Sequence, residues 1–173
     1  MSDVARVIVG VSGSLHSLTA LHRAAEEARA RGAVLVPVLA WTPVGGERNY
    51  RARPCPSLLR AWQQAAGARL GGALEEAFGG LPIGVPMEPM VMRGEPAEVL
   101  TALADRPGDL LVISTGRQGL VRGTAHRLLR GSVRRRCLNR ARCGVLVVPP
   151  STLHADLRAL HRDGVDLREL VAA

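Results

Sequence analysis

The sequence predicts an α/β domain in which helices cover both faces of one doubly wound, five-stranded parallel sheet. Three observations carry that reading. Four short runs are apolar on both faces, which suits strands buried from two sides. Segments of helical spacing separate them. Glycine and proline mark the junctions.

The first strand is Arg6 to Val11, RVIVGV. Ser12-Gly13-Ser14 makes the turn, and Ser14 or Ser17 can cap the helix that follows. That helix runs to about Arg31, with Leu18, Leu21, Ala25 and Ala28 at helical spacing and Gly32 as its stop. Ala33 to Trp41, AVLVPVLAW, is the second buried strand. Thr42 to Pro56 is rich in Pro, Gly and Arg and reads as a long exposed loop. Ser57 starts a helix to about Phe78, with Leu58, Trp62, Leu70, Leu74 and Phe78 as its expected apolar stripe. Gly67, Gly71 and Gly72 weaken that helix, each by about 1 kcal/mol against Ala.

From Val85 to Met92 apolar residues alternate, but Pro86 and Pro89 exclude a central position, so an edge strand is expected. Gly94-Glu95-Pro96 turns into a short helix, Pro96 to Ala104, with proline at its first position. Leu110 to Ile113 is the fourth strand. A glycine-bearing loop follows, then a helix from Gly131-Ser132 with Val133 and Cys137 on one face, then a last strand, Val145 to Val148. Residues 1–150 thus read as one domain, and 151–173 as a C-terminal tail. Leu153, Leu157 and Leu160 share a helical face there, which favours a helix packed on the domain over a partner-binding arm. No internal repeat is visible.

At 173 residues the chain is long enough to bury one proper core. Its net charge is +8, yet Arg117 to Arg142 alone carries nine arginines and no acid, which leaves the rest of the chain at −1. Such local basicity points to one anion-facing surface rather than to general nucleic-acid coating. All 23 basic residues are Arg, and with abundant Ala, Gly and Pro this marks a GC-rich genome, which explains part of the enrichment. Three cysteines, Cys55, Cys137 and Cys143, lack scaffold spacing and suit a reducing cytoplasm. The N-terminus MSDVARVIVGVSGS lacks the features of a signal peptide. No apolar run approaches the roughly 20 residues of a membrane span.

Candidate chemistry gathers after the fourth strand. Gly116, Gly119, Gly131 and Ser132 can hold a phosphate through backbone N–H groups and a helix N-terminus. The same glycines also serve simply to turn a strand into a helix. Arg117, Arg122 and Arg127 can clamp phosphate oxygens, although for any single arginine a solvated face is the simpler account. Val11, Ser12, Ala40 and Trp41 end strands 1 and 2, at the carboxyl edge where ligands of such sheets bind. Trp41 can stack on a base or equally serve as a rim or dimer contact. His16, His22, His126, His154 and His161 show no metal-ligand spacing with Cys or acids, so no metal is expected.

Four pieces, in order, resemble the universal stress protein family. They are RVIVGVSGSLHS, VMRGEPAEVLTALA, DLLVIS and RGSVRRRCLNRARCGVLVVPP, and together they cover about Val4 to Pro149. The resemblance implies a Rossmann-like sheet of order 3-2-1-4-5, a stress-response role, a homodimer and, in one branch of the family, ATP binding. In that order the switch point lies between strands 1 and 4 and sets Ser12 opposite Ser114. The implied nucleotide site is Val11, Ser12, Ala40, Trp41, Ser114, Thr115, Gly116, Gly119, Gly131, Ser132 and Val133. The implied dimer contact is the last strand, Val145, Leu146, Val147 and Val148, which would otherwise be an unprotected edge.

The chain departs from the ATP-binding branch in two places. Eleven residues, not the pattern's nine, separate Gly119 from Gly131-Ser132. Ser12 stands where nucleotide-binding relatives usually place Asp, so one contact there is weaker and uncharged. No cofactor is therefore required, and ATP or another adenine nucleotide is held at most weakly.

Two other classes of function rank lower. An enzyme is suggested only by Ser12 to Ser17, which faintly resembles the Ser-Gly-Gly-x-Asp-Ser loop of ATP pyrophosphatases. Ser14 and His16 replace its second Gly and its Asp, and no further acid, base or nucleophile constellation appears. The first turn is also not the Gly-x-Gly-x-x-Gly of a dinucleotide-binding dehydrogenase. A nucleic-acid binder would need aromatics among the arginines, and the chain has one Tyr, one Phe and two Trp.

Overall fold

The chain runs β1 (Arg6–Gly10), α1 (Leu15–Arg31), β2 (Val34–Trp41), α2 (Glu47–Ala52), α3 (Pro56–Phe78), β3 (Met90–Arg93), α4 (Pro96–Leu103), β4 (Leu110–Ser114), α5 (Val133–Arg140) and β5 (Gly144–Val148). The structure is a computed structural model, and it describes residues 5–79, 84–115 and 133–149. All five strands are parallel in one sheet of order β3-β2-β1-β4-β5, the expected order. The tail 151–173 lies outside the described residues.

The inner strands are apolar at nearly every position because the sheet is covered twice. Successive side chains of a strand point to opposite faces. Val7, Val9, Leu35 and Leu39 therefore join one core with α1 and α3. Ile8, Val36 and Val38 join the other with α4 and α5. Alanines at 20, 24, 25 and 28 let α1 lie close to the sheet, and Leu21, fully buried, contributes about 1.5–3 kcal/mol. Gly32 ends α1 in the left-handed region at φ 59°, where the Ala33 N–H closes on the Ala28 carbonyl at 2.9 Å.

At the amino edge, β1 and β4 are pinned by one ionic cluster. Arg6 donates through Nε and Nη2 to the two carboxylate oxygens of Asp109, at 3.0 and 2.7 Å. Its Nη2 also reaches Asp105 at 3.0 Å and the Leu103 carbonyl at 2.9 Å. The Asp109 carboxylate is 1% exposed and takes a further bond from the Arg106 N–H. The sheet is thus closed at the edge opposite the candidate site.

The structure corrects several expectations. Thr42 to Pro56 is not all loop, because α2 forms within it. That helix buries none of its residues, so it left no apolar period to read. α3 begins at Pro56, one residue early, and Leu58 does not belong to its buried stripe, being 49% exposed. Ala66 is the first residue of α3 to be buried, and the first turns of that helix border the insert that carries α2. Strand 3 is shorter than Val85 to Met92. Only an isolated Leu35–Met87 bridge precedes Met90, as expected of a segment interrupted by Pro86 and Pro89. Among the described residues no helix is long and apolar enough to cross a membrane.

Candidate functional site

β1 and β4 are neighbours whose following helices leave to opposite faces, α1 to the first and α5 to the second. That divergence opens a crevice at their carboxyl ends, the usual ligand position in such sheets. The turn after β1 forms one described wall. The Val11 N–H donates to the Val38 carbonyl at 2.8 Å, and its side chain is buried, so Val11 offers the crevice no side chain. Ser12 is exposed, and its hydroxyl lies 2.9 Å from that of Ser14. Ser14 holds the N-cap position of α1 without a side-chain cap bond. Instead the buried Ser17 hydroxyl donates back to the Ser14 carbonyl at 2.6 Å. The capping expected of either serine is therefore replaced by a bond that ties the turn together and leaves the Ser12 and Ser14 hydroxyls at the surface.

Gly13 makes the turn possible, at φ 71°, where side chains are disfavoured. A β-carbon on Gly13 would lie 2.8 Å from Cγ and 2.9 Å from Cδ of Arg69. The stem of Arg69, from α3, thus packs directly over the turn. Sequence reasoning missed Arg69. No local signal could have found it, since the contact depends on how α3 crosses the β1–α1 junction.

Ser114 and Thr115 form the facing wall, both half-buried. The Thr115 N–H donates to the Val148 carbonyl at 2.9 Å, which extends the β4–β5 ladder. The β1–β4 register pairs Val9 with Val112. Carried forward, it sets Val11 beside Ser114 and Ser12 beside Thr115, one residue from the pairing expected. Ala40 and Trp41 end β2, but both are half-buried against the core, Ala40 on the second face and Trp41 on the first. The Trp41 carbonyl accepts from the Gly94 N–H at 2.8 Å. Val133 packs against the second core at the start of α5. Gly116, Gly119, Gly131 and Ser132, with Arg117, Arg122 and Arg127, lie outside the described residues. On α5, Arg134 and Arg135 are exposed, whereas Arg136 turns to Glu95 at 3.6 Å.

The described part of the crevice is a set of hydroxyls and a glycine turn over which the stem of Arg69 packs. Hydroxyls of this kind can donate hydrogen bonds to an anion. Among the described residues no three His, Cys, Asp or Glu side chains gather as metal ligands.

An open, doubly wound parallel sheet of order β3-β2-β1-β4-β5, with a crevice at its switch point, defines the Rossmann-like α/β class. Residues 4–149 match the model of the Universal stress protein family, and the chain belongs to that family of stress-response proteins. Similar solved structures include a universal stress protein in complex with cAMP, 29% identical, covering 87% of this chain and 100% of that one at a TM-score of 0.51. Hypothetical protein MJ0577 is 16% identical and covers 86% of this chain and 97% of that one, with a TM-score of 0.64. Universal stress protein UspA from Lactobacillus plantarum is 20% identical and covers 86% and 99%, with a TM-score of 0.57. The last two show the shared fold. A comparison with curated proteins gives no significant match.

Proposed function

We propose that the protein is a non-enzymatic, cytoplasmic binding module that holds an adenine nucleotide weakly in the β1–β4 crevice and acts as a homodimer. The observation that carries the ligand class is the 29% identical relative solved with cAMP, which aligns over 87% of this chain. The crevice agrees with it. Ser12 and Ser14 would offer donors to one phosphate, Arg69, whose stem packs over the turn between them, would add its charge, and Ser114 and Thr115 would line the opposite side. Gly116, Gly119, Gly131 and Ser132 would complete the cradle, and one or two of Arg117, Arg122 and Arg127 would close over it.

A nucleotide with a single phosphate suits this site better than ATP. Ser12 makes one uncharged contact where a carboxylate would grip the nucleoside, and the longer loop shifts the glycines from the triphosphate pattern. A lost hydrogen bond of about 1 kcal/mol already matters at such affinities. β5 supports the dimer reading, since it is an edge strand whose outer side pairs with no strand among the described residues. The three free cysteines support a reducing compartment.

Calorimetric titration with cAMP, AMP, ADP and ATP tests the ligand. Binding of cAMP or AMP is expected, with ATP in the high micromolar range or weaker, and affinity should fall as salt rises. A sub-micromolar, salt-insensitive ATP complex, or no heat with any of the four, would overturn the proposal. ATP turnover above a boiled control that one point substitution abolishes would refute the non-enzymatic reading.

A further inference from the structure

The insert between β2 and α3 builds a second surface that the nucleotide reading does not use. α2 and the first turns of α3 border an open groove of about 470 Å³ lined by Val44, Asn49, Tyr50, Arg53, Leu58 and Trp62, among others. Three large apolar side chains are notably exposed among the described residues, and two of them, Val44 at 74% and Leu58 at 49%, lie here. Two of the chain's four aromatic residues lie here as well, Tyr50 and Trp62, edge to face with ring centroids 6.3 Å apart. Apolar and aromatic side chains concentrated on one exposed surface mark an interaction site rather than ordinary scatter.

The groove is held in shape from behind. Arg93, at the end of β3, donates to both carboxylate oxygens of Glu47 at 2.6 and 2.8 Å. Its guanidinium also lies 4.8 Å from the centroid of the Tyr50 ring. Together these contacts fix the aromatic wall of a helix that has no buried residue of its own. They also take up the carboxylate of Glu47, the sole acid of the 42–56 insert. The insert's other charges are Arg48, Arg51 and Arg53, all exposed. Arg53 lines the groove and has no side-chain partner among the described residues.

We propose that this groove docks an acidic, apolar segment of a partner protein. Its apolar side chains would seat against Tyr50, Leu58 and Trp62, and its carboxylates would meet Arg53 and the neighbouring arginines. Charge complementarity selects the sign of the partner. Openness selects its kind. A small-molecule pocket encloses most of its ligand, whereas here Val44 and Leu58 stand out to solvent as the anchors of a protein contact do.

Trp62 reports occupancy by fluorescence once Trp41→Phe has removed the other tryptophan. The probe is an end-capped peptide of about a dozen residues made of Glu, Ala, Leu and Phe, with Leu and Phe one helical turn apart. The control peptide carries Lys for every Glu. The full-length chain should show a saturable change in Trp62 emission with the acidic peptide. Affinity should drop about tenfold with the Lys peptide, with Arg53→Glu and with Leu58→Ser. Both substitutions are at exposed positions, and circular dichroism confirms that each variant is folded. Equal affinity for the two peptides, an unchanged signal in Arg53→Glu, or no saturation at millimolar peptide would overturn the proposal. So would self-association in light scattering that Leu58→Ser abolishes, since a second copy of the chain would then be the occupant.

Discussion

Gly13→Ala should damage the fold and the crevice together, by amounts the structure allows to be separated. The first cost is conformational. At φ 71° an L-residue pays roughly 1–2 kcal/mol that glycine does not. The second is steric. The new β-carbon would sit 2.8 Å from Arg69 Cγ, so that side chain must leave its rotamer, at about 0.5–1.5 kcal/mol. Together they come to about 2 kcal/mol, or roughly 5 °C in melting temperature for a chain of this size. Arg69→Ala removes the clash and leaves the dihedral cost. Gly13→Ala measured in the Arg69→Ala background should therefore cost about 1 kcal/mol less than it does in the native chain. Urea denaturation with an unchanged m-value is the assay. Nucleotide affinity should fall severalfold in Gly13→Ala, because the turn it disturbs carries the Ser12 and Ser14 hydroxyls. An identical cost in both backgrounds would refute the packing of Arg69 over the turn. A cost below about half a kcal/mol would refute the conformational argument as well.

Val147→Lys should give monomer or aggregate in light scattering if β5 pairs with its two-fold mate, and a native chain that is cleanly monomeric would end that idea. Val147 also packs against the second core, so a thermal melt must accompany the measurement. Asp109→Ala should cost about 2 kcal/mol in chemical denaturation, below the 3–5 kcal/mol of a fully buried pair. The discount follows because Arg6 keeps Asp105 and the Leu103 carbonyl and is 22% exposed; a neutral result would remove this cluster from the account of stability. The Ser57 hydroxyl holds the Cys55 thiol below its usual range, while burial pushes Cys137 and Cys143 above it. Iodoacetamide should therefore modify Cys55 first, and at a pH where the other two stay protonated, as peptide mapping would show. Modification of Cys137 ahead of Cys55 in the folded protein would contradict that order.

The sequence by itself determined the elements whose environment is the core. β1, β2 and β4 were legible because a strand buried on both faces must be largely apolar, and β5 because its apolar run ends at two prolines. The end of α1 was legible because Gly32 meets a local need, a left-handed residue at the helix stop. The edge character of strand 3 was legible from two prolines that cannot join a ladder. Only the tertiary structure decided what depends on one element crossing another. α2 was hidden because it buries none of its residues, and what holds its wall in place is Arg93, which arrives from β3. Leu58 looked like core because periodicity records which face a residue occupies but not whether the core reaches beneath that turn. Arg69 was invisible for the same reason. Its place above Gly13 follows from the packing of α3 across the β1–α1 turn, and a contact between residues so distant in the chain leaves no mark on the spacing of either segment.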